Sequence, residues 1–365
     1  MASETIDLRT LRNRADLRSP QSFDHVGRDV GAKGFVAGAV LADLADDDPR
    51  IVCGSADLKF VTHMAVFAHQ HPERFLQFGI SERNMLSAAA GLATTGLIPY
   101  VSTFASFSAL LAYEVIRTDH AYPNLPVRVL ATHAGIAMGF FGTSHHATED
   151  IAALRAVAGL TVLSPSDPVS TEALLRATVD HPGPIYFRLG RGREPRIHDR
   201  LPDGYGPGAP HVARAGSDLL IAATGGMVAP ALGAAARLAE RGIEATVLDV
   251  HTLKPLDGDA IAEHAARHRA VVTVEEHTIE GGLGTMVSEA LSIAGVGVPV
   301  RAHGLRDEFA LVGPPSHLYR YYGLDDGGIA TVAERVLEQP GGRGGPAPWD
   351  DADRRAVMTE LGVAD

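Results

Sequence analysis

Short apolar-cored runs separated by helix-length stretches constrain this chain more than any single residue does. The runs are Ile51–Gly54, Val127–Thr132, Ile185–Leu189, Asp218–Thr224, Glu244–Asp249, Ala270–Glu275 and Val298–His303. They have strand length and little polar alternation, as expected of strands buried on both faces. Helical patterns fill the gaps between them, for example Glu82–Thr95, Ser106–Ala121, Pro168–Asp180 and Val228–Arg241. The expected fold class is therefore α/β: two three-layer αβα domains with mostly parallel sheets. Residues 191–216 are rich in Gly, Pro and charge and read as a linker. The expected organisation is an arm at 1–27, a first domain at 28–190, the linker, a second domain at 217–340, and a tail at 341–365 with a short helix near Asp353–Leu361.

Composition narrows the function classes. Thirty-two basic and 44 acidic side chains give a net charge of −12, which argues against nucleic acid or an anionic membrane as partner. No apolar run approaches the roughly 18 residues of a membrane span. The mixed-charge N-terminus has no apolar core of a secretory signal, so a cytoplasmic chain is expected. Cys53 is the single cysteine, and no Cys/His cluster has zinc spacing.

Two stretches stand out. In the first, Gly79-Ile80-Ser81-Glu82 opens a small-residue helix, and the following strand ends at Phe104 with Phe107 three residues on. Alone, Glu82 reads as an acid complementing a helix dipole, and the two rings as core. The second is Gly139-Phe140-Phe141-Gly142-Thr143-Ser144-His145-His146, a loop after a strand, where open α/β sheets place ligands. Thr148 reads as the cap of the helix after it, which leaves His145 and His146 as candidates for ligand contact. The Gly-rich turns Thr224–Met227 and Glu280–Gly284 match no phosphate-binding pattern and read as turn geometry.

Taken together and in order, GSADL (54–58), QFGISERNM (77–85), GLATTGLIPYVSTFASF (91–107), the loop at 132–152, LSPSDP (163–168), YFRLGR (186–191), LDVHTLKPLD (248–257) and VTVEEHTIEGGLG (272–284) resemble the transketolase and 1-deoxyxylulose-5-phosphate synthase family. The resemblance covers roughly residues 28–340: the thiamine-diphosphate pyrimidine-binding domain followed by the transketolase C-terminal domain. It implies thiamine diphosphate as cofactor. Glu82 then matches the acid that hydrogen-bonds the cofactor's pyrimidine nitrogen, and such a carboxyl must be largely removed from water. Phe104 and Phe107 match the rings that pack on the pyrimidine, with Ile80 from the same motif beside them. Leu110 stands where relatives often carry a third aromatic.

His145 matches a substrate histidine, with Ser144, His146 and Phe141 beside it, and Arg191 and Arg28 match substrate-phosphate arginines. Ala134 and the Phe140–Phe141 pair replace acids of sugar-transferring relatives, and Lys59–Val61 lacks their phosphate-contacting Ser. Less hydroxylated or less phosphorylated substrates, and a role in specialised metabolism, are therefore expected.

The family's GDG…Asn diphosphate segment is not found; Asp257-Gly258-Asp259 lacks the upstream Gly. The chain is accordingly expected to be one subunit of a split transferase that moves a two-carbon ketol or related acyl unit between small carbonyl compounds. An N-terminal subunit would carry the diphosphate domain with Mg²⁺ or Ca²⁺, the two forming an α2β2 heterotetramer. The alternatives are the β subunit of a 2-oxoacid dehydrogenase complex and a non-catalytic regulatory subunit.

Overall fold

Each apolar run becomes a strand, and all but the last, which is half-buried, lie in the core. The computed structural model describes residues 36–192, 194–338 and 349–362. In chain order these form α1 (Ala37–Asp47), β1 (Ile51–Ser55), α2 (Ala65–Gln70), β2 (Phe75–Gln77), α3 (Glu82–Ala93), β3 (Ile98–Phe104), β4 (Arg128–Thr132), α4 (Asp150–Arg155), β5 (Thr161–Leu163), α5 (Pro168–Ala177) and β6 (Ile185–Arg188). They continue with β7 (His211–Arg214), β8 (Leu219–Ala223), α6 (Val228–Ala239), β9 (Ala245–Asp249), β10 (Thr252–Lys254), α7 (Gly258–Ala265), β11 (Val271–Thr278), α8 (Leu283–Ile293), β12 (Val300–Leu305), α9 (Pro315–Tyr321), α10 (Asp326–Glu338) and α11 (Asp351–Glu360). The described residues divide into two compact units: 36–132, 157–161 and 167–206 make the first, and 133–156, 162–166 and 207–362 the second.

In the first unit the strands lie in the order β6-β4-β3-β1-β2. Every pairing in that order is parallel. Every residue of β1, β3, β4 and β6 is buried, which is why these segments show no polar alternation. Arg128 in β4 is buried with them. Its guanidinium donates to the carbonyls of Thr178, Val179, His181 and Gly183, satisfying the chain that leaves α5. Asp167 closes the other end of α5 as N-cap in a reciprocal capping box with Ser170.

The segment expected as one regular helix at Ser106–Ala121 is not regular. Phe107–Leu111 and Ile116–Ala121 are π-helical turns on either side of the short α-helical Tyr113–Val115. Each wide turn contains a hydroxyl bonded back to the previous turn. Ser108 donates to the Phe104 and Ala105 carbonyls, and Thr118 to that of Glu114. Such turns recur at functional sites, and the first of these begins at Phe107.

In the second unit the sheet order is β12-β11-β8-β9-β7, parallel except for the antiparallel β7–β9 edge. β7 lies inside the stretch read as linker: its half-exposed edge position tolerates a polar sequence that composition alone marks as loop. β10 is likewise unanticipated, a three-residue strand antiparallel to Val162 and Leu163. Helices α9 and α10, beyond the last expected strand, complete the unit. Helix α11 was foreseen. It is held by a paired Arg354–Glu308 contact, by Arg335 on Asp353, and by the Trp349 ring N–H on the Tyr321 carbonyl.

The Gly-rich turns prove to be turn geometry. Gly225 and Gly281 have φ of +56° and +75°. The buried Glu275 carboxylate accepts from the Leu283 and Gly284 amides, so a side chain of the unit fills the helix start that a phosphate would need. Asp257 caps α7 through the Ala260 amide, a structural role for the acid that superficially resembled a diphosphate motif.

His303 in β12 gives the unit a pH-dependent stability. It is fully buried, with Nε2 2.7 Å from the Gly323 carbonyl. Burial pushes its imidazole down to about 4; Arg306 acts the same way, and the Gly323 hydrogen bond opposes them. The unfolded chain takes up this proton near pH 6.5, whereas the folded chain resists until about 4. Stability is therefore fully present above pH 6.5 and falls on acidification to about 4, by roughly 3 kcal/mol from this group. Urea midpoints measured across that window should fall less steeply for His303→Gln than for the native chain; equal slopes would remove His303 from the account.

Candidate active site

Helix α3 explains how a carboxylate comes to be buried. Its inward face is Glu82, Met85, Leu86, Ala89, Ala90 and Ala93, a helical stripe whose first member is the acid. The alanines let the helix lie close on the sheet, and this carries the first turn inward with it. Gly79, at φ +69°, turns the chain ahead of the helix, and the Met85 amide closes the first turn on the Ser81 carbonyl at 3.0 Å. Glu82 is 6% exposed. The Thr103 hydroxyl, from β3, approaches its Oε1 at 3.4 Å, at the long limit of a hydrogen bond. The buried acid therefore retains capacity for a further hydrogen bond.

Strand β3 ends at Phe104, which is buried, and the wide turn after it brings Phe107 alongside. The ring centroids are 5.5 Å apart with planes at 42°. Leu110, at the position the resemblance aligns with a third aromatic, is exposed. Ile80 is 85% exposed, so its side chain contributes nothing to the core of the unit. A buried acid and two tilted aromatic rings on adjacent elements match the needs of a flat, nitrogen-bearing ring. These residues fit the pyrimidine half of thiamine diphosphate.

In the second unit, residues 135–147 form a closed loop. The Gly135 and Ala147 amides each donate to the other's carbonyl, at 3.0 and 2.9 Å. Gly142 adopts φ +67°, ψ −160°, a conformation essentially restricted to glycine, and the His145 and His146 amides both donate to its carbonyl. His146 is buried, and neither ring nitrogen meets a hydrogen-bond partner of normal geometry among the described residues. Burial lowers its pKa; the Gly139 backbone opposes this, and the neighbouring His145 adds to it. His145 is half-buried and also lowered by burial, with Nδ1 2.9 Å from the Ser144 hydroxyl and its ring 5.0 Å from that of Phe141. Phe140 and Phe141 are 67% and 58% exposed. At neutral pH each imidazole therefore presents one donor and one acceptor.

The Thr148 cap is not formed. Glu149 holds the N-cap position of α4, without a side-chain cap bond. Thr148 instead accepts, through its carbonyl, from the Thr278 amide at the end of β11. Arg191 is half-buried in the first unit, its amide donating to Glu194 at 2.9 Å, and Arg188 is buried. Arg28 lies outside the described residues. The described candidates thus divide between the units, with Ile80, Glu82, Phe104, Phe107 and Arg191 in the first and Phe141, Ser144, His145 and His146 in the second. Sequence reasoning missed Thr103 beside Glu82; its position one residue before Phe104, on the alternating face of β3, was the available signal.

Residues 34–195 match the family Transketolase, pyrimidine binding domain, and residues 208–329 match Transketolase, C-terminal domain. A putative transketolase C-terminal section of Methanocaldococcus jannaschii is 38% identical, over 84% of this chain and 95% of that protein. The chain belongs to the transketolase family. It corresponds to the section that stands as a separate chain in its split relatives. A 6-deoxy-6-sulfo-D-fructose transketolase subunit of Clostridium sp. is 37% identical, over 82% of this chain and 92% of that one. A solved split gene transketolase, described as an inactive β4 tetramer, superposes with a TM-score of 0.73 at 40% identity, covering 82% of this chain and 96% of that one. No helix among the described residues is long and apolar enough to cross a membrane.

Proposed function

We propose that this transketolase subunit moves a two-carbon ketol unit from a ketose or 2-oxo donor to an aldehyde-type acceptor, in the cytoplasm and only when joined to a diphosphate-binding partner. One observation carries the reading. Glu82, a buried acid with one long side-chain hydrogen bond among the described residues, lies beside the Phe104–Phe107 pair in a chain otherwise aligned with separate transketolase subunits. Bound thiamine diphosphate supplies a carbon nucleophile. Glu82 would share a proton with the pyrimidine nitrogen from a setting largely removed from water. Phe104 and Phe107 give the ring apolar faces and fix its tilt.

His145 and His146, neutral at pH 7, are assigned to donate to or accept from substrate oxygens, with Ser144 holding His145 in orientation. Phe141 forms an apolar wall, and Arg191 and Arg28 are assigned to an anionic end of the substrate. The partner subunit is assigned the GDG…Asn segment and the Mg²⁺ or Ca²⁺, in an α2β2 assembly. Exposed aromatics where sugar-transferring relatives carry acids favour a less hydroxylated substrate. A 2-oxoacid dehydrogenase β subunit shares the two-domain plan, but the transketolase matches above do not favour it.

Reconstitution tests the reading. Mixed with its diphosphate-binding partner, thiamine diphosphate and Mg²⁺, the chain should transfer a ketol unit from hydroxypyruvate to a small aldehyde, while either subunit alone is inactive. Turnover that instead requires a lipoyl-carrying protein as acceptor would select the dehydrogenase.

A further inference from the structure

We infer that Glu276 is a positioning residue that holds the histidine loop in the shape in which it meets substrate. Glu276 is in β11, where the strand outlasts the apolar run Val271–Val274, and its side chain is buried. Its Oε1 accepts two hydrogen bonds: from the Ile136 amide at 2.6 Å and from the Tyr319 hydroxyl of α9 at 2.7 Å. Both contacts are short and join separate segments of the chain, so this oxygen is a firm tether. The contact is close enough to dictate sequence. A Cβ on Gly135 would lie 2.2 Å from Glu276 Cδ, and Gly135 has φ +66°, so that position admits glycine alone.

The same strand grips the far end of the loop. Two residues beyond Glu276, the Thr278 amide donates to the Thr148 carbonyl at 2.8 Å, and His277 Nε2 lies 3.3 Å from the Ala152 amide. Both ends of the 135–148 loop are thus tied to one strand, at Glu276 and at Thr278. Between those ties the loop rests on the segment before α9. A Cβ on Gly139 would meet the Gly313 carbonyl at 2.6 Å, and one on Gly142 would meet Val312 at 2.9 Å. Tyr319 links that helix to the same carboxylate. The loop is closed on itself, anchored through Glu276, and backed by α9, which leaves Ser144, His145 and His146 in one arrangement.

This inference rests on the reading of Ser144–His146 as substrate contacts, and the experiment separates the two. Hydrogen exchange of the full chain reports the loop, and steady-state kinetics of the reconstituted enzyme with hydroxypyruvate reports its use. In Glu276→Ala, amides 136–147 should exchange about 10- to 100-fold faster while β3 and β8 are unchanged, and KM should rise by a similar factor with kcat little altered. Glu276→Gln keeps a neutral acceptor of the same length and should recover most of both. Tyr319→Phe, which removes one of the two donors and leaves the fold's backbone ties intact, should fall between and decides the matter if the Ala form does not fold. Unchanged exchange in the loop would overturn the tether. Faster exchange with unaltered KM would leave the tether standing and overturn the loop's part in substrate binding.

Discussion

Glu82→Gln should lower kcat of the reconstituted enzyme by about 10²- to 10⁴-fold, the range typical of removing a general acid–base group. Glutamine matches glutamate in size, so it can occupy the first position of α3, beneath Met85 and Leu86, without opening a cavity. Folding and assembly should survive, which sedimentation and the far-ultraviolet spectrum would verify. An amide can still donate a hydrogen bond to a ring nitrogen, but it cannot surrender and recover a proton in each cycle. The loss should therefore fall on kcat rather than on the affinity for donor. Near-native turnover in an intact assembly would remove Glu82 from the mechanism.

Thiamine diphosphate should bind the isolated chain too weakly to saturate, with affinity no better than about 1 mM, or roughly 4 kcal/mol. On the proposed reading, the groups around Glu82 serve a neutral ring. Two tilted phenyl faces and one carboxyl supply stacking and a single hydrogen bond, and association consumes much of that in lost freedom of motion. A diphosphate taken out of water needs opposing charge, and we assign that charge to the partner's metal. Adding the partner should convert the titration to tight, Mg²⁺-dependent binding. Tight Mg²⁺-dependent binding by the isolated chain, measured calorimetrically, would refute the division of the cofactor between two subunits.

Much of the architecture was legible because burial writes itself into composition. β1, β3, β4, β8 and β9 are buried along their whole lengths, and a strand with no solvent face shows an unbroken apolar run. Elements with one wet side were harder to read. β7 hid in a Pro- and Gly-rich stretch because an edge strand is held by one neighbour and tolerates polar residues. The wide turns at Phe107–Leu111 and Ile116–Ala121 were invisible for a different reason. Their local apolar spacing is helical, and the extra residue per turn appears only with the hydroxyl back-bonds.

The candidate residues divide the same way. Ordered motifs pointed to Glu82, Phe104, Phe107, His145 and His146 through resemblance. The resemblance implied a carboxyl removed from water, and the structure buries Glu82 at the head of the stripe continued by Met85, Ala89 and Ala93. The sequence by itself thus determined the α/β class and the strands buried on both faces. Those properties depend on neighbours a few residues apart. Only the tertiary structure decided that Thr103 stands at Glu82, that Arg128 answers four carbonyls near the end of α5, and that Glu276 ties down a loop 140 residues earlier in the chain. Such contacts join residues far apart along the chain, and a hydrogen bond between distant partners leaves no periodic trace at either end.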